Sequence, residues 1–380
     1  MITTINNKHK KLNAPNLRFP EFEGEWEEER LADIADLYKG TGISKDQLSD
    51  DGEPCILYGE LYTKYKSETI REVISKTNID NAKLVRSKAN DVIIPCSGET
   101  AEDIATARCV LNGNILLGGD LNIIRLHGYD GAFMSYQLNG RRKYEIAKVA
   151  QGVSVVHLYG EHLKGVKTIN PCLEEQKKIA KLLSLLDERI STQNKVIDKL
   201  QSLIKGIAHK ISKQGKPNIR LSECLECSST TLQESDVAEV GAYPVYGANG
   251  IVGYLDTYST TKEAIYIIKD GSGVGSVSYV KGKCSATGTL NILQAKEGYS
   301  LRYLYFMLKV FNFEPYKTGM AIPHIYFKDY RKAKIYCPSY ELQVKYTDLL
   351  FGIEQKAITE QKILTNLYDQ KQYLLRQMFI

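Results

Sequence analysis

The sequence predicts an α+β chain: two β-rich globular heads separated by two long helices that pair antiparallel as a coiled coil, the halves related by a pseudo-twofold internal repeat. Three observations predict this. Residues 151–176, QGVSVVHLYGEHLKGVKTINPCLEEQ, align without a gap on residues 318–343, TGMAIPHIYFKDYRKAKIYCPSYELQ. Apolar residues after each passage recur in alternating steps of four and three. The segments ahead of both passages read as short strands between Gly, Ser, Asn and Asp turns.

A chain of 380 residues exceeds one domain at roughly 100–200 residues per domain. The elements divide as an N-terminal arm and first head over 1–172, a helix over 173–214, a second head over 215–338 and a second helix over 339–380. In the first head, Cys55–Leu57, Val92–Pro95 and Asn122–Leu126 read as strands and Phe133–Lys148 as a helix. In the second, Ala264–Ile268 and Val277–Val280 read as strands and Leu301–Phe311 as a helix. Gly215–Asn218 (GKPN) is the link into the second head. The heads share words as well. Arg30-Leu31-Ala32-Asp33 matches Arg220-Leu221-Ser222-Glu223, and Gly119-Asp120-Leu121-Asn122-Ile123-Ile124 matches Gly288-Thr289-Leu290-Asn291-Ile292-Leu293. Their ends agree while their middles differ in length, as two copies of one fold with different targets do.

The first helix carries a seam at Ile179, Leu183, Leu186, Ile190, Ile197, Leu200, Ile204, Ile207 and Ile211, with Gln193 its one polar member. The second keeps the frame at Tyr346, Leu350, Ile353, Ala357, Glu360, Leu364, Leu367, Lys371, Leu374 and Met378. A mean period of 3.5 is a heptad seam. Gln193 and Glu360 share one seam position, where a polar residue fixes register or simply marks local divergence. Helices of about 40 residues span about 60 Å, and two such helices with single apolar stripes pack most simply on each other.

Net charge is +5, which permits a nucleic-acid partner without arguing for one. Tyr (25) far outnumbers Phe (9), which suits polar contacting surfaces and half-buried strands alike. Of eight cysteines, Cys224 and Cys227 form the one CxxC. No second pair completes a zinc site, so reduced thiols in a cytoplasmic protein are expected. Met1–Leu12 is polar and lysine-rich, unlike a signal peptide, and no apolar run is long enough to span a membrane.

No catalytic signature stands out. There is no GxxxxGK[ST] loop, GxSxG elbow, HExxH or Asp/Asn-Pro-Pro-aromatic tetrad. Gly271-Ser272-Gly273-Val274-Gly275-Ser276 precedes a strand, whereas a dinucleotide loop must open a helix. It reads as a turn allowing close backbone approach. His157-x-Tyr159 recurs as His324-x-Tyr326. Because it lies in the shared part of the repeat, a structural role is favoured over catalysis or ligand contact.

Two divergent heads alternating with two similar long helices, without catalytic motifs, resemble the specificity subunit of type I restriction–modification systems over nearly the whole chain. The most specific words are residues 15–26 (PNLRFPEFEGEW), GVSVVHLY and GMAIPHIY, PCLEEQKKIAKLL and PSYELQVKYTDLL, and residues 245–254 (VYGANGIVGY). One departure is Tyr340-Glu341-Leu342-Gln343, which lacks an acidic residue of Leu173-Glu174-Glu175-Gln176 and is expected to alter a subunit contact. The resemblance implies that each head is a target recognition domain reading one half of a split site in double-stranded DNA. The helices would set the gap and dock two modification subunits. Those would bring S-adenosylmethionine and methylate adenine N6 after flipping the base, and restriction subunits would bring ATP and Mg. The chain itself would bind no cofactor or metal and catalyse nothing.

Phosphates are held by Lys, Arg, Ser, Thr and backbone N–H groups, and base edges by Arg, Lys, Asn, Gln, Asp and Glu. On that basis the candidate DNA contacts are Tyr58, Glu60, Lys64, Ser97, Thr100 and Arg108 in the first head. In the second they are Tyr246, Asn249, Ser272, Ser276 and Lys317. Each also reads as turn chemistry or solvated surface. Two other functions remain open at this point. One is a non-DNA adaptor with two ligand-binding heads on a coiled-coil arm. The other is an enzyme with its site between the heads, which would need a cluster of ionisable groups that the sequence does not display.

Overall fold

Short runs of β-branched and aromatic residues between turns build the sheets of both heads in the computed structural model, which describes residues 13–80, 83–152, 155–271, 273–319 and 322–380. Head one is built on β1 (Ala35–Lys39), β2 (Glu53–Ile56), β3 (Asp91–Pro95), β4 (Arg108–Val110) and β5 (Leu121–Leu126). Its main sheet runs β1-β5-β3-β4 with antiparallel pairs, and Thr69–Ile70 lies parallel to β4 at the edge. β2 belongs to a smaller sheet, parallel to Leu116–Leu117. Side chains alternate across β3: Val92 and Ile94 enter one core and Ile93 the other, so the strand is buried throughout.

The helix expected over Phe133–Lys148 is in fact two. α1 (Gly131–Asn139) ends where Gly140 leaves the helical region at φ −91°, ψ −108°, and a separate helix covers Lys143–Lys148. After head one comes α2 (Leu173–Ser212).

Head two repeats the plan with β6 (Leu225–Ser228), β7 (Tyr243–Gly247), β8 (Glu263–Ile268), β9 (Val277–Lys281), β10 (Leu290–Ala295) and α3 (Leu301–Lys309). The sheet order β6-β10-β8-β9 is that of head one strand for strand. β7 again leaves for a small sheet, parallel to Ser285–Ala286. The chain closes with α4 (Tyr340–Met378). No helix among the described residues is long and apolar enough to cross a membrane.

The chain forms two compact units, residues 1–193 with 363–380 and residues 194–362. Each unit takes half of each long helix. In the first, Ile179, Ala180 and Leu183 of α2 and Met378 and Phe379 at the end of α4 enter the core of head one. Phe379 stacks on Phe133 at 5.2 Å, and Trp26 meets the same ring edge-on at 5.8 Å. In the second, Ile204, Ala208 and Ile211 with Leu350 join Tyr303, Phe306 and Tyr330. Within each unit the early turns of one helix meet the late turns of the other, so the segments run antiparallel. The expected seam faces inward. Ile179, Leu183, Ile190, Leu364 and Leu367 are buried in the first unit, as are Ile197, Ile204 and Leu350 in the second. Leu186, Leu374, Leu200 and Ile353 are half-buried.

The repeated words resolve into repeated contacts. Gln176 Oε1 accepts from Asp130 N at 2.9 Å while its Nε2 donates to Pro171 O at 2.8 Å. Gln343 does the same with Ser300 N at 3.0 Å and Pro338 O at 2.9 Å. Asp130 and Ser300 are the N-caps of α1 and α3. Each glutamine thus bolts a head helix to the start of a long helix. The RLAD and RLSE words are matching one-turn helices in which the backbone N–H of Arg30 or Arg220 donates to Asp33 or Glu223.

The missing acid of the second copy also has an internal cause. Glu175 is 0% exposed, and Arg18 of the N-terminal arm grips it bidentately at 2.8 and 2.7 Å. Its counterpart Leu342 is exposed. The acidic residue that the second copy lacks is thus held, in the first, by the N-terminal arm.

Candidate nucleic-acid interface

The end of β3 runs into the polar segment Ser97–Thr100, and the end of β8 into Asp270–Gly271 and the turn Gly273–Ser276. Both carry polar residues that differ between the heads. Each is braced by the doubled passage. Val156–His157 pairs antiparallel with Ser97–Gly98, and Leu158 N donates to Cys96 O at 2.7 Å. His324 bridges Asp270, Ile325 N donates to Lys269 O at 2.8 Å, and Gly271 N donates to Pro323 O at 3.0 Å. The repeated Leu-Asn-Ile strand helps: buried Asn122 donates to Leu158 O at 2.9 Å.

The doubled passage keeps its shape through two glycines. Gly152 has φ +127° and Gly319 φ +88°, a region that side chains disfavour. A Cβ would stand 2.1 Å from Val155 O at the first and 2.3 Å from Ile322 O at the second. Gln151 and His157 exchange both backbone hydrogen bonds, at 2.9 and 2.7 Å, and so do Thr318 and His324, at 2.9 and 2.8 Å. The backbone of His-x-Tyr is therefore structural, as expected. Its rings are not core. Tyr159 is 46% and Tyr326 39% exposed, His157 is exposed and His324 half-buried. Sequence reasoning did not single out these rings as surface groups, although their repetition was the signal.

The candidates fall in different places. Tyr58 is exposed just after β2, and the Tyr62 hydroxyl, within 3.9 Å of where Gly98 would carry a Cβ, ties this end to the Ser97–Thr100 turn. Thr100 is exposed and caps a one-turn helix by accepting from Asp103 N at 3.1 Å. Ser97 is buried and donates to Asp120 at 3.1 Å. Lys64 donates to Glu60 at 2.6 Å and to Ser75 Oγ at 2.9 Å.

Glu60, Ser97 and Arg108 stand inside the fold, which corrects their expected place at the surface. The Glu60 carboxylate accepts from Leu57 N at 3.1 Å and from Ser75 Oγ as well as from Lys64. Arg108 donates to Ala107 O and Tyr65 O, both at 3.0 Å, and burial draws its pKa down. A charged residue beside a strand satisfies a polarity rule for DNA contact equally well when it points inward to carbonyls.

In head two, Asn249 is exposed in the turn after β7, and Tyr246 is half-buried with its ring 5.8 Å from Tyr266. Ser276 is exposed in the glycine turn, and Lys317, next to the Thr318–His324 pairing, donates to Glu314 at 2.6 Å. Ser272 lies outside the described residues, as do Val153, Ser154, Met320 and Ala321 of the doubled passage. The structure thus gathers Tyr58, Ser97 and Thr100 at one end of head one, and Ser276 and Lys317 beside the equivalent passage of head two. Tyr246 and Asn249 sit on a separate hairpin.

A buried charge cluster that the sequence did not announce joins head one to both long helices. Lys371 of α4 reaches Glu68 at 2.5 Å and Asp187 of α2 at 2.6 Å. Asp187 also accepts from Tyr136 at 2.7 Å and Ser67 at 2.9 Å. Burial raises the Glu68 pKa against the pull of Lys371. Burial also works against the charge of Lys371, but Glu68 and Asp187 outweigh it and raise that pKa. In the second unit the counterpart of Asp187, Glu354, accepts from Tyr305 at 2.7 Å. A tyrosine from the head helix meets a spacer carboxylate in both units.

Comparison with known proteins agrees with this geometry. The sequence model of the type I restriction modification DNA specificity domain matches residues 23–202 and again 217–367. The MjaVIII specificity subunit of Methanocaldococcus jannaschii is 28% identical over 200 residues, 52% of this chain and 44% of that protein. The chain thus spans less than half the length of that relative. A putative type I specificity subunit of Mycoplasma genitalium is 26% identical over 285 residues, 68% of this chain and 73% of the relative. The crystal structure of a type I restriction–modification S subunit from M. genitalium superposes with a TM-score of 0.69 at 20% identity, covering 97% of this chain and 99% of that one. The two family matches, one per head-and-helix repeat, cover most of the sequence: the chain belongs to the type I restriction–modification DNA specificity family.

Proposed function

We propose that the chain is the DNA-specificity subunit of a type I restriction–modification complex, each head reading one half of a bipartite site. The observation that carries the reading is the pairing of like frameworks with unlike turns. The sheet order, glutamine bolts and braced passages recur in both units, while Ser97–Thr100 and Asp270–Ser276 differ. The long helices fix the gap between half-sites and dock two modification subunits that hold S-adenosylmethionine and methylate adenine N6. ATP and Mg belong to the restriction subunits. The chain itself recognises and does not catalyse. An open groove of about 640 Å³ on the helix pair of the first unit, lined by Leu182, Leu185, Leu186, Tyr373 and Leu374, supports docking of a partner subunit.

The test is pull-down and sequencing of DNA fragments on the full chain co-expressed with its modification subunits, followed by salt titration on the enriched site. The expected outcome is a bipartite motif with a fixed gap, bound with steep salt dependence. Exchanging head two should then change one half-site alone. An intact, methylation-competent complex that enriches no motif leaves the adaptor reading in front.

A further inference from the structure

The geometry points to His157 with Tyr159, and His324 with Tyr326, as one phosphate anchor per head: a sequence-independent hold on the duplex backbone that fixes how the neighbouring turns meet base edges. This rests on the DNA-reading function above and adds the residues that position each head.

Four observations carry it. The framework around the rings is costly to build, since both copies need a glycine in the left-handed region pressed against a carbonyl. The rings it presents serve no core. His157, Tyr159 and Tyr326 are exposed and His324 is half-buried with its Nδ1 3.3 Å from Ile322 O, and the ring centroids lie 6.2 Å apart in head one and 5.3 Å in head two. A cation lies over each tyrosine: Lys39 at 5.8 Å from Tyr159 and Lys328 at 5.2 Å from Tyr326. Those lysines come from unrelated elements, the end of β1 and the short helix Phe327–Tyr330. The repeat places Glu161 opposite Lys328, so the positive charge recurs where the sequence does not. Finally, the histidine backbones pair directly with the divergent turns, at Ser97 and at Asp270.

An imidazole N–H, a phenol O–H and an ammonium are donors suited to phosphate oxygens. Such contacts fix orientation and carry no base information. That explains why this set is the same in both heads while the turns beside it are not.

The experiment uses the full chain in complex with its modification subunits. His157→Ala with Tyr159→Phe, and His324→Ala with Tyr326→Phe, are measured by equilibrium binding to a duplex carrying the enriched motif and to one lacking it. Each pair should weaken both duplexes alike, by about tenfold, with the enriched motif, the melting temperature and subunit assembly unchanged. Lys39→Ala and Lys328→Ala should each flatten the salt dependence of log K by about 1. Unchanged affinity for both duplexes overturns the proposal. So does a motif altered at one half-site, which makes the rings base readers, or loss of a modification subunit, which makes the surface a protein dock. If a His→Ala variant fails to fold, the Tyr→Phe variants alone decide. Failure of the function itself is seen separately, as no enriched motif from the unmutated complex.

Discussion

Arg18 shows how one residue explains an irregularity of the repeat. Its guanidinium neutralises Glu175, which is buried at the first turn of α2, and donates to the carbonyls of Glu23 and Gly24 at 3.1 and 2.6 Å. Removing one partner of a buried ion pair strands the other charge in low dielectric. Arg18→Ala should therefore destabilise the first unit by about 3–5 kcal/mol, read by denaturant unfolding. Glu175→Leu introduces the residue type that the second copy carries at Leu342, so the double variant should regain most of that loss. A double variant as unstable as the single one would show that Arg18 acts through packing rather than charge. Gln176 and Gln343 make the complementary point. The repeated Pro-x4-Gln was visible in the sequence. That the amide spans from a proline carbonyl to a helix N-cap was not, because Asp130 and Ser300 lie more than forty residues upstream in each copy.

The long helices bury the apolar members of their heptads, and the head explains one of the polar members buried with them. Lys371 occupies a seam position whose counterpart is Ile204, and it is buried between Glu68 and Asp187. A polar group within a seam specifies one arrangement at some cost in stability. Lys371→Met leaves two carboxylates facing each other and should cost about 3–5 kcal/mol near neutral pH. The raised pKa of Lys371 also gives a pH signature. A lysine held charged in the fold contributes fully below its ordinary value of 10.5 and loses that contribution as pH rises through the raised value. The melting-temperature advantage of the unmutated chain over Lys371→Met should shrink as pH is taken from 9 to beyond 11. An advantage constant across that window would mean that the lysine stem, not its charge, holds the helices. Elsewhere in this layer local chemistry misled. The segment after the Leu-Asn-Ile strand read as one helix over Phe133–Lys148, but the chain leaves the helical region at Gly140.

At the scale of the whole molecule, the two units are built alike, and each long helix contributes to both. The last residues of α4 and beyond are core: Met378 and Phe379 are buried against Phe133 and Trp26. Phe379→Ala should cost about 3–5 kcal/mol. By hydrogen exchange the loss of protection should appear in β3, β5 and α1, with β8 and β10 of the second unit retaining theirs. Equal loss in both units would show that the long helices transmit the defect along the chain.

The repeat, the paired helices with their inward seams and the β-rich heads were all legible in the sequence. Each of these is written in short-range periodicity or in a gapless internal match. The sequence also pointed to the passages that brace the polar turns. Which polar residues face outward followed from packing between distant segments. Glu60 and Arg108 went inside because buried carbonyls, a hydroxyl and a lysine satisfy them there. His157, Tyr159, His324 and Tyr326 stayed at the surface because the glycine-shaped backbone beneath them holds the turn while the rings project away from the core. Burial of a charged or aromatic side chain depends on partners brought from distant segments, and no local pattern encodes that.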